Sequence, residues 1–163
     1  ALREIALPVT DLYDSHWSTT GESIPDHLSN DQEVYLPGRN LMLLAKTSLY
    51  CALNQIPAAA LGPLAGNPFA DSTPDFFSSF EHMASLALDF VFTVETPFSQ
   101  LTKVDVIRLG SHLPLELSFS CIRPAGLNHC GACNKCGERR RSFQEAGVAD
   151  KTRYESLPPL GLH

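Results

Sequence analysis

Four cysteines within sixteen positions, Cys121, Cys130, Cys133 and Cys136, constrain this chain more than any other feature. The spacing is Cys-x8-Cys-x2-Cys-x2-Cys. Two-residue gaps let neighbouring thiolates converge on one ion, and the longer loop returns the first ligand to the others. Thiolates in fours suit zinc, with Zn–S bonds of about 2.3 Å in a closed tetrahedron. An iron–sulfur run of the ferredoxin type would set its last cysteine before a proline, which this segment lacks. His129, beside Cys130, is the alternative ligand. A shell closed by four thiolates leaves no position for water, so the expected role is structural rather than Lewis-acid chemistry. The fifth cysteine, Cys51, lies on the apolar side of an expected helix and reads as an inert core thiol. Secreted disulfide frameworks spread their cysteines through the chain, so this clustering predicts a reducing compartment and a cytoplasmic protein.

A chain of 163 residues with 44% hydrophobic residues has about one domain's worth of core material. Its net charge of −6 argues against a general nucleic-acid-binding surface. No apolar run approaches the roughly 20 residues that span a bilayer, and no membrane partner is expected.

Short elements alternate along the chain. Leu2–Pro8 reads as a buried strand, and the polar stretch from Ser18 to Glu33 as an exposed loop. Leu41, Leu44, Ala45, Ser48, Leu49, Ala52 and Leu53 recur at helical steps and predict a helix with one buried face, Pro57 lying past its end. Ala58–Gly62 reads as a strand of a parallel sheet. Thr73 and Pro74 form an N-cap with proline in the first turn, opening a helix with a Phe76, Phe77, Phe80, Met83, Ala84, Ala87, Leu88 stripe. Phe90–Val94 reads as a strand. Thr102 and Asp105 form a capping box for a helix stopping at Gly110. Leu115–Phe119 reads as a further strand, and a last helix spans about Asn134 to Ala146, ended by Gly147. The expected fold is α/β, a parallel sheet flanked by helices, with ligands at the carboxyl ends of its strands. Residues 1–117 form the expected main body and 118–154 the metal-binding segment and last helix of the same domain. The tail 155–163 is expected to be flexible. The six histidines, His16, His27, His82, His112, His129 and His163, show no ligand spacing.

Several motifs occur together and in order: Pro37-Gly38-Arg39-Asn40, Leu101-Thr102-Lys103 leading to Gly110, Ser118-Phe119-Ser120-Cys121 with the cysteine spacing, Cys136 to Phe143, and Asp150-Lys151-Thr152-Arg153-Tyr154. This set resembles the 7-cyano-7-deazaguanine synthases, across about residues 35 to 154. The resemblance implies an adenine-nucleotide α-hydrolase-like (Rossmann-like) sheet, a structural zinc and a homodimer. It also implies a reaction: ATP with magnesium activates a deazapurine carboxylate as an adenylate, and ammonia converts 7-carboxy-7-deazaguanine to the nitrile. The matched motifs correspond to the family's C-terminal two-thirds. The family's Ser-Gly-Gly-x-Asp-Ser phosphate loop is not among these residues, and an N-terminal segment carrying it is expected, with a reduced homologue as the alternative. The family's Tyr-Pro-Asp-Cys-Arg-Pro-Glu-Phe loop is replaced by Ala70-Asp71-Ser72-Thr73-Pro74-Asp75-Phe76, which leaves the substrate open to a related deazapurine or another carboxylate.

With that resemblance, Arg39, Asn40, Asp71, Lys103 and Arg139 are the candidate nucleotide- and substrate-binding residues. Arg39 and Asn40 open a helix, where free N–H groups attract anions. Lys103 stands in a first turn against the helix dipole, as a phosphate contact would. Asp71 is a candidate acceptor for a guanine-like edge or a helix cap, and Arg139 belongs to a basic run beside the metal loop. Two other functions compete with the ligase: base amidation or thiolation in RNA, and a zinc-stabilised protein that binds a ligand or partner without catalysis.

Overall fold

The computed structural model describes residues 2–161. In chain order its elements are α1 (Trp17–Thr20), a 3-10 turn (Asp31–Val34), α2 (Arg39–Leu53), β1 (Ala58–Ala60), a 3-10 turn (Ala70–Ser72), α3 (Pro74–Leu88), β2 (Thr93–Glu95), α4 (Lys103–Leu109), a 3-10 turn (Leu115–Leu117) and α5 (Asn134–Ala146). They fall into two compact units: residues 2–11 with Leu36–Gln100, and Leu12–Tyr35 with residues 101–161. The expected boundary at residue 117 thus falls inside the second unit.

The first unit is a short parallel α/β layer. β1 pairs with β2 in parallel, with Ala58, Ala59 and Ala60 opposite Thr93, Val94 and Glu95. Parallel strands need a covered crossover, and α3 supplies it between them. Leu44, Cys51, Phe77, Phe80, Ala84 and Phe92 form the core, with Ala59 and Val94 packed against it. Burying these rings and chains contributes roughly 1.5–3 kcal/mol for each large side chain. Thr73 caps α3 by accepting the Phe76 N–H at 3.2 Å, as its position before Pro74 predicts.

Several expectations here need correction. Only Asn40, Leu44, Ser48 and Cys51 of α2 are buried. Leu41 and Leu49 are about half exposed and Leu53 more so, because at 100° per residue they step progressively away from the core-facing row until Leu53 stands opposite Leu44. Leu2–Pro8 is no strand: it has no ladder partner, and Leu2 and Ile5 are exposed. The strand expected over Phe90–Val94 begins only at Thr93. Asp89 ends α3 in the left-handed region, and Ser85 takes the backbone instead, its carbonyl accepting the Phe90 N–H and its hydroxyl the Phe92 N–H. Phe92 is consequently a core side chain fixed by a helix end.

The second unit packs α4 against α5. The α4 capping box forms as expected: Asp105 N–H donates to Thr102 Oγ1 at 3.2 Å, and Thr102 N–H to Asp105 Oδ2 at 2.9 Å. α5 ends at Gly147, whose φ of 70° relieves the left-handed strain a side chain would bring. The strand expected over Leu115–Phe119 is instead a 3-10 turn after Pro114, with Leu117 and Phe119 exposed.

The stretch 18–33 is more than an open loop, since it contributes to α1, carries a 3-10 turn and lies along the cysteine segment. The tail also departs from expectation. Glu155 and Ser156 donate backbone N–H groups to the His129 and Cys130 carbonyls, and Pro158 accepts from Arg140. Residues 162 and 163, including His163, lie outside the described residues. No helix among the described residues is long and apolar enough to cross a membrane.

Candidate metal centre

The cysteine loop turns through Gly131 and runs into the first turn of α5. Cys133 is the N-cap of that helix and Cys136 its third residue, so the Cys-x2-Cys spacing places two sulfurs on one side of a helix start. Cys121 and Cys130 approach from the preceding loop. All four sulfurs lie within 4.8 Å of one another, with Cys121–Cys133 at 3.8 Å and Cys130–Cys136 at 4.0 Å. A tetrahedron with Zn–S bonds of about 2.3 Å has edges of about 3.8 Å, so these separations suit one ion.

Backbone amides point at the sulfurs. Cys130 and Arg123 donate to Cys121 Sγ at 3.3 and 3.4 Å, and Ala132 donates to Cys130 Sγ at 3.4 Å. Such donors favour the thiolate form that a metal requires. The Cys136 thiol donates toward Cys133 and pulls its pKa down to about 4, while Cys136 itself, as the donor, is pushed up. Burial raises Cys121. A divalent ion takes thiolates as ligands, so its binding would displace the thiol protons of these four close sulfurs. The set fits a tetrahedral, thiolate-bound ion such as zinc.

Two distant segments cover this loop. On one side Asn134 N–H donates to the Pro25 carbonyl at 2.9 Å, and Asn134 Nδ2 to the Ser29 carbonyl at 2.8 Å. His27 N–H reaches the Ala132 carbonyl, and Arg141 donates to the His27 carbonyl at 3.0 Å. Gly137 makes this approach possible, since a Cβ there would stand 2.8 Å from the His27 carbonyl oxygen. On the other side Ser156 donates to the Cys130 carbonyl through both its backbone N–H and its hydroxyl. Tyr154 packs on the cysteines and donates its hydroxyl to Asp150 Oδ2 at 2.7 Å.

His129 is not one of the clustered ligands. Its Nε2 accepts the Ser120 N–H at 3.2 Å, and burial with nearby Arg139 pushes the ring pKa down, in keeping with a neutral imidazole. Phe119 and Tyr154 flank it.

Residues 5–147 match the queuosine biosynthesis protein QueC family. The chain belongs to this family. It is 36% identical over 138 residues to 7-cyano-7-deazaguanine synthase of Myxococcus xanthus, covering 74% of this chain and 56% of that protein. Against the synthase of Methylococcus capsulatus it is 34% identical over 148 residues, covering 82% and 65%. Against that of Allorhizobium ampelinum it is 31% identical over 172 residues, covering 95% and 73%. The chain thus spans 56% and 65% of the lengths of the first two relatives.

The five other candidate residues of this QueC-family chain are placed as follows. In the first unit, Asn40 and Asp71 meet: Asp71 Oδ2 accepts the Asn40 N–H at 2.8 Å, and the Asp71 carbonyl accepts Asn40 Nδ2 at 2.9 Å. Both are buried, so Asp71 caps the start of α2. Arg39 is exposed beside them, with Nη2 3.5 Å from Asn40 Oδ1. In the second unit, Lys103 Nζ stands 2.6 Å from Glu138 Oε1, and Lys135 Nζ is 2.8 Å from Glu138 Oε2 and 3.4 Å from Asp31. Burial lowers the Lys103 pKa despite Glu138. Burial alone would raise Glu138, but Lys103 and Lys135 together hold it below the usual range. Arg139 is buried and donates to Thr152, Ser118 and the Leu115 carbonyl at 2.8–3.0 Å, with its guanidinium 5.0 Å above the Phe143 ring. Sequence reasoning missed Glu138, whose (i, i+3) spacing to Lys135 was the available signal. It also missed His27 and Ser156, for which no local signal exists.

Proposed function

We propose that this chain carries the zinc-bearing part of an ATP-dependent synthase that converts 7-carboxy-7-deazaguanine and ammonia to 7-cyano-7-deazaguanine. The observation that carries this reading is the family match over residues 5–147, a span that includes the α2 start, the α4 capping box and the cysteine centre. A carboxylate is a poor electrophile. Transfer of AMP from magnesium-bound ATP to one carboxylate oxygen releases pyrophosphate, and ammonia then displaces that AMP to give the amide. A second adenylation, on the amide oxygen, lets the remaining oxygen leave as AMP while the nitrogen loses its protons, yielding the nitrile.

In this reading zinc holds the cysteine loop in place and takes no part in the reaction, because four thiolates close its shell. The buried Asn40–Asp71 contact fixes the α2 start, which leaves Arg39 exposed where it can meet an anionic group. Lys103 and Arg139 act with their present partners: the first tied to Glu138, the second joining the segment at Ser118 to Thr152. A homodimer in the cytoplasm, with no nucleic acid or membrane partner, completes the proposal.

The test is direct incubation of the purified protein with the carboxylate, ATP, magnesium and ammonium. Formation of the nitrile by mass, with AMP and pyrophosphate, supports the ligase. Binding of the deazapurine without ATP turnover moves the assignment to a non-catalytic ligand-binding role.

A further inference from the structure

A cavity of about 360 Å³ lies within the second unit, between the second half of α5 and the chain that follows it. Arg140, Phe143 and Gln144 reach it from α5, at the three- and four-residue steps that share one helix face. Asp150, Thr152 and Tyr154 reach it from alternate positions, the step by which extended chain sets side chains on one side. Its apolar wall is Phe143 with Val148, Leu157 and Leu160. The last three lie past residue 147, where the family match ends. The volume falls within the roughly 300–1,000 Å³ of small-molecule sites.

The polar groups of this lining divide into spent and unspent. Both Asp150 oxygens are taken: Oδ1 accepts the Thr152 N–H at 3.0 Å and Oδ2 the Tyr154 hydroxyl at 2.7 Å. Arg140 uses only Nη1, donating to the Pro158 carbonyl at 2.8 Å and the Gly131 carbonyl at 3.5 Å. Its Nε and Nη2 groups have no hydrogen-bond or ion-pair partner among the described residues. These two are neighbours on one edge of the planar guanidinium, and such an edge takes a carboxylate through two parallel bonds. Thr152 Oγ1 accepts from Arg139 Nε at 2.9 Å, so its own proton is unused. The Gln144 amide has no partner among the described residues. What the lining still offers is therefore mostly donors. Together with Arg139 behind Thr152, it holds two guanidinium groups and one carboxylate.

We propose that this cavity binds a small monocarboxylate with an apolar body. The carboxylate meets the Nε and Nη2 edge of Arg140 and the Thr152 hydroxyl, and the body lies against Phe143, Val148, Leu157 and Leu160. An uncharged ligand of the same shape leaves the arginine edge unused, and a bare phosphate leaves the apolar wall unfilled. The occupant also ties down the tail, since Leu157 and Leu160 flank Pro158, whose carbonyl Arg140 holds. The site is independent of the synthase reading, and its test involves no turnover.

Calorimetry on the full chain, with hexanoate, benzoate, hexanamide and inorganic phosphate as probes, tests it. Hexanoate or benzoate is expected to bind at least about tenfold tighter than hexanamide and phosphate. Gln144→Glu puts a second carboxylate into the lining without removing a contact of the fold. It is expected to weaken the bound carboxylate at least about threefold and to leave hexanamide unchanged. Arg140→Gln removes the guanidinium edge and is expected to bring hexanoate down to the level of hexanamide. Val148→Phe fills the apolar end and is expected to weaken every organic probe. Arg140 also holds Pro158, so Gln144→Glu decides the matter if Arg140→Gln loosens the tail. Failure of both carboxylates to bind, equal binding of hexanamide, competition by phosphate at equal concentration, or carboxylate binding unchanged in Gln144→Glu overturns the site.

Discussion

Asn134 donates its side-chain amide to the carbonyl of Ser29 at 2.8 Å, joining residues 105 positions apart in sequence. Asn134 is fully buried and directly follows the ligand Cys133, so the cysteine centre and the stretch around Ser29 are held by one side chain. Asn134→Ala leaves the Ser29 carbonyl without this donor. The expected cost is about 1–2 kcal/mol, read as a lower melting temperature with faster proteolysis within residues 18–30. Unchanged cleavage in that stretch would show that other contacts hold it.

Cys133→Ser removes one sulfur of the tetrahedron. The expected result is loss of stoichiometric zinc and a melting temperature lowered by roughly 10 °C or more, since several kcal/mol of metal-linked folding is lost. Metal content and a thermal scan on the same preparation check it. Retention of one equivalent of zinc at an unchanged melting temperature would falsify the four-cysteine assignment.

Gly131 has a φ of 80°, and a Cβ there would overlap the Ser156 carbonyl. Gly131→Ala is expected to cost the roughly 1–2 kcal/mol of left-handed backbone and to push the Ser156 segment off the cysteine loop. Hydrogen exchange should show residues 153–158 losing protection while α3 keeps its own.

Asp71→Ala removes the acceptor for the buried Asn40 N–H and is expected to destabilise the first unit by about 1–3 kcal/mol. Asp71→Asn keeps an acceptor oxygen and should recover most of that loss. Equal destabilisation by both variants would mean that the charge, rather than the cap, is what matters.

Glu138 supplies a pH dependence with a definite sign. Its carboxyl is held below its ordinary 4.5 in the fold, so its ion pairs contribute stability above that pH and lose it as pH falls through the lowered folded value. Lys103 works at the other end. Its folded value lies below the ordinary 10.5, so its burial penalty eases as pH rises through that value. Burial keeps Lys103 down despite its partner, so the pair adds little net stability. Melting temperature measured from about pH 3 to 6 should fall less steeply on acidification in Glu138→Gln than in wild type. Identical slopes would remove Glu138 from the acid response.

The parts legible in sequence are those governed by neighbours in sequence. The Thr73–Pro74 start of α3, the Thr102–Asp105 box, the Gly147 stop and the cysteine spacing each state their own geometry within a few residues. Phe90–Phe92 misled because its β-type composition competes with a hydroxyl seven positions earlier, at Ser85. Leu115–Phe119 misled because Arg139 claims the Leu115 carbonyl and the Ser118 hydroxyl from another helix. Asp71 was open between ligand and cap until the fold brought Asn40 to it. The contacts of residues 25–29 and 153–158 with the cysteine loop leave no periodic trace, since each depends on a backbone carbonyl rather than on a residue type.

Those two segments also govern how quickly an ion can leave. With Pro25–Ser29 bonded along one side and Glu155–Ser156 along the other, a chelator reaches the sulfurs only after one of them lifts. Zinc release should then proceed at a rate that stops rising with chelator concentration, the plateau being the opening rate of the covering chain. A bound metal in this fold is in effect a clock for that motion.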